Sequence, residues 1–112
     1  MFYEIKLLQP ARDFITSLEL KLRAKTFRTI DLLKEFGPFL KEPHSKKIIG
    51  VKGLYELRVK QGNNICRLFY FHFRDKVYII TSGYVKKDMK TDQNQIKHAK
   101  DLMKEMLEEL NG

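Results

Sequence analysis

Residues 53–73 read GLYELRVKQGNNICRLFYFHF. Tyr55, Leu57 and Val59 alternate with Glu56, Arg58 and Lys60, the period-2 mark of a strand, and a second such run follows the Gln61-Gly62-Asn63-Asn64 turn. The stretch is therefore a β-hairpin with an arginine inside each arm. A turn of two residues (62–63) or of four (61–64) sets Arg58 opposite Arg67 on one face, beside Glu56 and Lys60. Like charges directly opposed destabilise a sheet, so a chain selected for stability alone would avoid this pair.

A third strand over about 76–85 extends the hairpin. An Arg74-Asp75 turn would pair Arg67 with Ser82 and carry Tyr84 and Lys86 onto the arginine face. On that register Phe69, Phe71, Tyr78 and Ile80 share the face, to be covered by a C-terminal helix. Tyr55, Leu57, Val59, Leu68, Tyr70, Val77 and Ile79 point the other way. The arginine end is then an open basic hollow formed by Arg58, Arg67 and Lys86, with Lys87 and Lys90 just beyond.

Outward from the sheet, Tyr3, Ile5 and Leu7 alternate with Glu4 and Lys6 and predict an N-terminal strand. Pro10 suits the first turn of a helix. Apolar residues at helical spacing run from Phe14 to Phe36, stopped by Gly37-Pro38. So long a run in so short a chain predicts an antiparallel helical hairpin, broken near 20–24. Residues 38–53, PFLKEPHSKKIIGVKG, read as a basic loop. Asp92, with Gln95 three positions on, predicts a capping box, and Ile96, Ala99, Leu102, Met103, Met106, Leu107 and Leu110 form the stripe of a final helix. The order β-α-α-β-β-β-α defines one α+β domain over residues 1–112, with a twisted, mainly antiparallel sheet.

The chain of 112 residues carries a formal net charge of +8 and 43% hydrophobic residues. That composition excludes a disordered tail and favours a polyanionic partner, nucleic acid before membrane. The charge is concentrated: residues 1–45 balance to +2, residues 46–104 to +9 and residues 105–112 to −3. A single cysteine, Cys66, cannot form an internal disulfide and reads as a core residue of a protein in a reducing, cytoplasmic compartment. No apolar run approaches membrane-spanning length. His72 reads as a core histidine, His98 as solvated, and His44 in the basic loop as a candidate RNA contact. Neither metal-ligand spacing nor a glycine-rich phosphate loop occurs, so no cofactor is indicated.

GLYELR, CRLFYF and SGYVKKDMKTD, leading into the amphipathic final helix, resemble the HigB-like, phage-derived branch of the RelE toxin superfamily. The resemblance spans most of the chain. It implies the toxin of a type II toxin–antitoxin system: a metal-independent, ribosome-dependent mRNA endonuclease held in check by a HigA-like helix-turn-helix antitoxin. The partners implied are that antitoxin and mRNA on the ribosome, with contacts to small-subunit rRNA; DNA would be met only through the antitoxin. Motif by motif, the groups at the scissile phosphate fall on Arg58, Arg67 and the pair Lys86 and Lys87. Some relatives have a lysine where this chain has Glu56, and a base-stacking tyrosine near their C-terminus has no counterpart here, leaving Tyr84 as the substitute. Lys46, Lys47, Lys60, Lys90 and His44 are the further RNA-binding candidates.

Attack of a ribose 2′-OH on the adjacent phosphate needs a base, positive charge for the transition state, and an acid for the leaving 5′ oxygen. Permanently charged, forked guanidinium groups suit the second task. A lysine crowded by cations suits the first, making Lys86 or Lys87 a candidate base with Glu56 as rival. Two other readings fit the charge: a same-fold gyrase inhibitor, and a basic RNA-binding domain without catalysis.

Overall fold

The computed structural model describes residues 2–86 and 91–111. The elements are β1 (Glu4–Leu7), α1 (Gln9–Ser17), α2 (Leu20–Phe36), a 3₁₀ turn (Gly37–Phe39), β2 (Ser45–Lys47), β3 (Leu54–Gln61), β4 (Asn64–Arg74), β5 (Val77–Val85) and α3 (Gln93–Asn111). They form an α+β fold around a five-stranded sheet of order β1-β5-β4-β3-β2. β1 runs parallel to β5 and every other pairing is antiparallel.

Local chemistry explains most boundaries. Pro10 lies in the first turn of α1, where its missing N–H costs nothing. The break between the two N-terminal helices falls at Leu18 and Glu19, both extended, rather than at 20–24. Glu19 caps α2 by accepting the Leu22 N–H at 2.7 Å. A glutamate cap is not among the usual N-cap signals, so the sequence conceals this boundary. Gly37 ends α2 with φ +53°, and the Tyr3 ring occupies the space a side chain would need there.

β2 corrects the expected basic loop. Ser45, Lys46 and Lys47 pair with Leu57, Glu56 and Tyr55, and the Ser45 hydroxyl meets the buried Tyr70 hydroxyl at 2.5 Å. Burial pushes the Tyr70 phenol up to about 12, so it stays neutral and able to donate. Three residues are too few to show a period, which hides β2 from pattern reading.

The first hairpin has the expected register: Gln61 faces Asn64 across Gly62-Asn63, and Arg58 faces Arg67. The second does not. Its turn is Asp75-Lys76, Arg67 pairs with Tyr84 instead of Ser82, and the register slips between Phe69 and Tyr70 and again between His72 and Arg74. The first slip leaves Thr81 as an extra residue and reverses the faces of β5 beyond it. Tyr78 and Ile80 therefore pack with Leu22, Ile30, Leu33, Leu57 and Leu68 beneath α1 and α2. Ile79 joins Leu54, Phe69, Phe71, Ile96, Ala99 and Met103 beneath α3. These three positions correct the expected faces. Near Arg67 the offset is even, so Tyr84 keeps the arginine face.

β5 also seats α1. A Cβ on Gly83 would lie 2.5 and 2.7 Å from Phe14 ring carbons and 3.0 Å from the Arg67 carbonyl oxygen. Gly83→Ala is expected to destabilise the fold by about 1–3 kcal/mol through overpacking, read as a lower urea midpoint. An unchanged midpoint would show that α1 does not press on β5 there.

Candidate active site

On the face covered by α3, the sheet holds a charged cluster where its core should be apolar. Glu56 is 1% exposed and Arg67 5%, whereas the Arg58 side chain keeps 28% of its surface. Arg58 Nε donates to Glu56 Oε1 at 3.2 Å, and Arg67 Nη1 donates to the same oxygen. Thr91, just ahead of α3, donates its hydroxyl to Glu56 Oε2 at 3.4 Å. Arg67 Nε is buried with no hydrogen-bond partner among the described residues.

This carboxylate explains why the opposed arginines are tolerated. Two guanidinium groups across a strand pair repel, but both meet one shared anion in a poorly hydrated setting, where attraction is strong. The two arginines are unequal: Arg58 keeps part of its side chain in solvent, while Arg67 is buried and braces it from within. The burial of Glu56 also bears on its expected rivalry as a base, since both of its oxygens already accept hydrogen bonds.

Lys86 stands at the open end. Its backbone N–H continues the β4–β5 ladder to the Ile65 carbonyl at 2.8 Å. Its ammonium is held below the usual lysine range by lost hydration, then by Arg67 and Arg58; Glu56 opposes the shift and Lys46 adds to it. Lys46 pairs with Glu56 in register and so shares its face. A hollow of about 300 Å³ opens between β2 and the start of α3, lined by Lys46, Lys47, Glu56, Arg58, Thr91 and Gln93, among others.

The remaining candidates are dispersed. Lys60 is exposed near the tip of β3, and the His44 carbonyl accepts the Arg58 N–H at 2.8 Å. Tyr84 stacks on Phe69 with ring centres 5.9 Å apart, and its hydroxyl accepts the Asp92 N–H at 3.2 Å. One ring face and the hydroxyl are thus engaged in holding α3 to the sheet. That contact replaces half of the expected capping box: Asp92 Oδ1 accepts the Asn94 N–H at 2.8 Å, while the Asp92 N–H turns to Tyr84. Lys87 and Lys90 lie outside the described residues. His72 is exposed and bonded through Nε2 to the Asp75 carbonyl at 2.7 Å, not a core histidine. Cys66 is buried, as expected, and burial raises its thiol further from ionisation. Among the described residues no group of three or more His, Cys, Asp or Glu could hold a metal ion. Thr91 had no signal in the sequence, because a lone threonine before a helix reads only as a cap.

Known structures share this architecture. The E. coli toxin RelE, in the free state as a double arginine-to-alanine mutant, superimposes with TM-score 0.58 at 20% identity over 74% of this chain and 82% of that one. The RelE–RelB complex of Pyrococcus horikoshii gives 0.57 at 24% identity, over 76% of this chain and 96% of that one. The E. coli RelBE toxin–antitoxin complex gives 0.59 at 16% identity, over 77% and 99%. The fold is that of the RelE toxins. The chain belongs to the phage-derived Gp49-like proteins (DUF891), whose family model matches residues 13–104. Among curated proteins none matches the sequence significantly. No described helix is long and apolar enough to cross a membrane.

Removing the carboxylate would strand a buried guanidinium. Glu56→Ala is expected to cost about 3–5 kcal/mol in urea unfolding, and Glu56→Gln, which keeps an acceptor, clearly less. Equal small losses for both would mean that Arg67 is solvated.

Proposed function

We propose that this protein is the toxin of a HigB-like toxin–antitoxin pair and cuts messenger RNA on the ribosome. The observation that carries the reading is a lysine of lowered proton affinity beside two arginines oriented by one buried carboxylate. Support for a toxin comes from the RelE fold and the Gp49-like family. Support for a protein antitoxin comes from two matched structures, which are complexes of RelE with RelB; its HigA type is read from the sequence resemblance alone.

In this reading the phosphate of the scissile linkage sits against Arg58, with Lys46 and Lys47 along the neighbouring strand. Neutral Lys86 takes the proton of the 2′-OH, the 2′ oxygen attacks phosphorus, and negative charge gathers on the non-bridging oxygens. Arg58, steadied by Glu56 and Arg67, meets that charge without having to reorganise. The 5′ oxygen leaves with a proton supplied by Lys46, and a 2′,3′-cyclic phosphate remains. Every atom of that step comes from the RNA and the side chains, so neither metal nor water is required. Glu56 is a positioning residue rather than the base. Lys60, Lys87 and Lys90 add backbone contacts, and small-subunit rRNA completes the surroundings of the message.

The test is purified protein with ribosomes programmed with a defined message, cleavage sites being mapped. Arg58→Ala and Lys86→Met should each slow cleavage by about 10²–10³-fold. Unbroken message with wild-type protein, together with inhibited supercoiling by gyrase, would replace this reading with the gyrase-inhibitor one.

The base assignment has its own signature in the pH dependence of single-turnover rates. Neutral Lys86 is the reactive form, so the rate rises with pH until its lowered pKa is passed. Lys46→Gln removes both the proposed acid and a cation that depresses this pKa, so the rate should fall overall and the rising limb of what remains should move to higher pH. Glu56→Gln removes an anion that raises it and should move the limb to lower pH with activity retained. Abolished cleavage in a folded Glu56→Gln variant, together with wild-type cleavage by Lys86→Met, would make Glu56 the base instead.

A further inference from the structure

A second hollow, of about 390 Å³, lies on the other side of Arg58, between α2 and the tip of the β3–β4 hairpin. β2 pairs with β3 only as far as Leu57, and the His44 carbonyl takes the next N–H, that of Arg58. The edge of β3 beyond Arg58 is thus left without a β2 partner, and there the hollow opens. Its rim carries Lys25 from α2, His44, Arg58 and Lys60, and its lining contains no carboxylate. Its walls include Pro43, Val59 and Ile65. The Thr29 hydroxyl is occupied by the Lys25 carbonyl at 3.0 Å. Arg67, buried and with its Nε unpartnered among the described residues, also lines it.

We propose that this hollow is a second nucleotide subsite, seating the nucleotide that adjoins the scissile linkage in a single RNA strand. The inference rests on the cleavage reading and extends it to α2. Arg58 lines both hollows, so a strand held at the scissile phosphate continues into this one without leaving a cationic surface. The volume lies at the lower end of small-molecule pockets, roughly 300–1,000 Å³, which suits a single nucleotide. Cations at the rim fit the backbone phosphate, and the apolar wall fits a base, with the His44 ring and the Arg58 plane as stacking surfaces. A site for a free phosphate would have no use for the apolar wall. A site for a cation would not exclude carboxylates.

The test uses a fluorescein-labelled single-stranded RNA hexamer, 2′-O-methylated at every ribose and therefore uncleavable, followed by fluorescence anisotropy. Lys25→Gln with Lys60→Gln is compared with Lys6→Gln with Lys104→Gln, which removes the same charge from exposed positions on β1 and α3. Thermal melts of both double variants verify folding. The subsite pair should weaken binding about ten-fold or more and lower the slope of log K against log salt by about 1.4, two cations at about 0.7 each on a single strand. The control pair should weaken binding less than about three-fold. Equal weakening by both pairs, or absence of saturable binding by the wild type, would overturn the subsite. So would unchanged RNA binding alongside lost binding of a poly-glutamate peptide, which would mark an acidic-protein contact. Failure of the cleavage reading shows separately, as unbroken message on programmed ribosomes.

Discussion

The site depends on one carboxylate. Glu56 sits in the middle of β3, almost wholly out of water, between two arginines and beneath Thr91. Burying any of these groups alone would carry a large desolvation cost, and an unpaired guanidinium inside the sheet would not persist. Together they form a cluster whose net charge is positive and whose geometry is fixed by neighbours on three elements. A purely apolar trio of similar volume would serve stability as well or better. The polar cluster is consistent with a use beyond folding: it presents a guanidinium that stays charged and need not reorganise.

The fold places that cluster by asymmetric coverage of the sheet. Along one face α1 and α2 bury Leu57, Leu68, Tyr70 and Ile80. Along the other, α3 covers Leu54, Phe69, Phe71 and Ile79 through Ile96, Ala99 and Met103. The start of α3 is pinned by Asp92 on Tyr84 and by Thr91 on Glu56, so the helix meets the sheet at the rim of the site. Two hollows flank Arg58, one against β2 and α3, the other against α2. The short β2, tied by Ser45 to Tyr70, separates them and brings Lys46 opposite Glu56.

Strand pairing could be read where it is local. The Gly62-Asn63 turn sets the first register, and the facing arginines follow from it, because a two-residue turn leaves no freedom of parity. The helices were visible in their spacing and in Pro10 and Gly37. What escaped was everything decided by tertiary fit. Thr81 carries no mark of a bulge, yet as an extra residue it reverses Tyr78, Ile79 and Ile80. Glu19 caps α2 although glutamate is an unusual cap. Ser45–Lys47 are too few to show alternation. For the site, the residue types and their shared face were legible, but the burial of Arg67 and Glu56 was not. Period-2 reasoning assigns a face without saying how deeply α3 will cover it.

The central claim is that Glu56 holds Arg58 and Arg67 as one unit. The direct measurement is solvent exchange of the Arg58 Nε–H and Arg67 Nη–H resonances, the two groups that donate to Glu56, by ¹H–¹⁵N NMR in the wild type and in Glu56→Gln. Both protons should exchange slowly in the wild type and should speed up together in the variant while backbone amides of the β4 core stay protected. Exchange at Arg67 that is already rapid in the wild type, or that is indifferent to Glu56, would contradict the account.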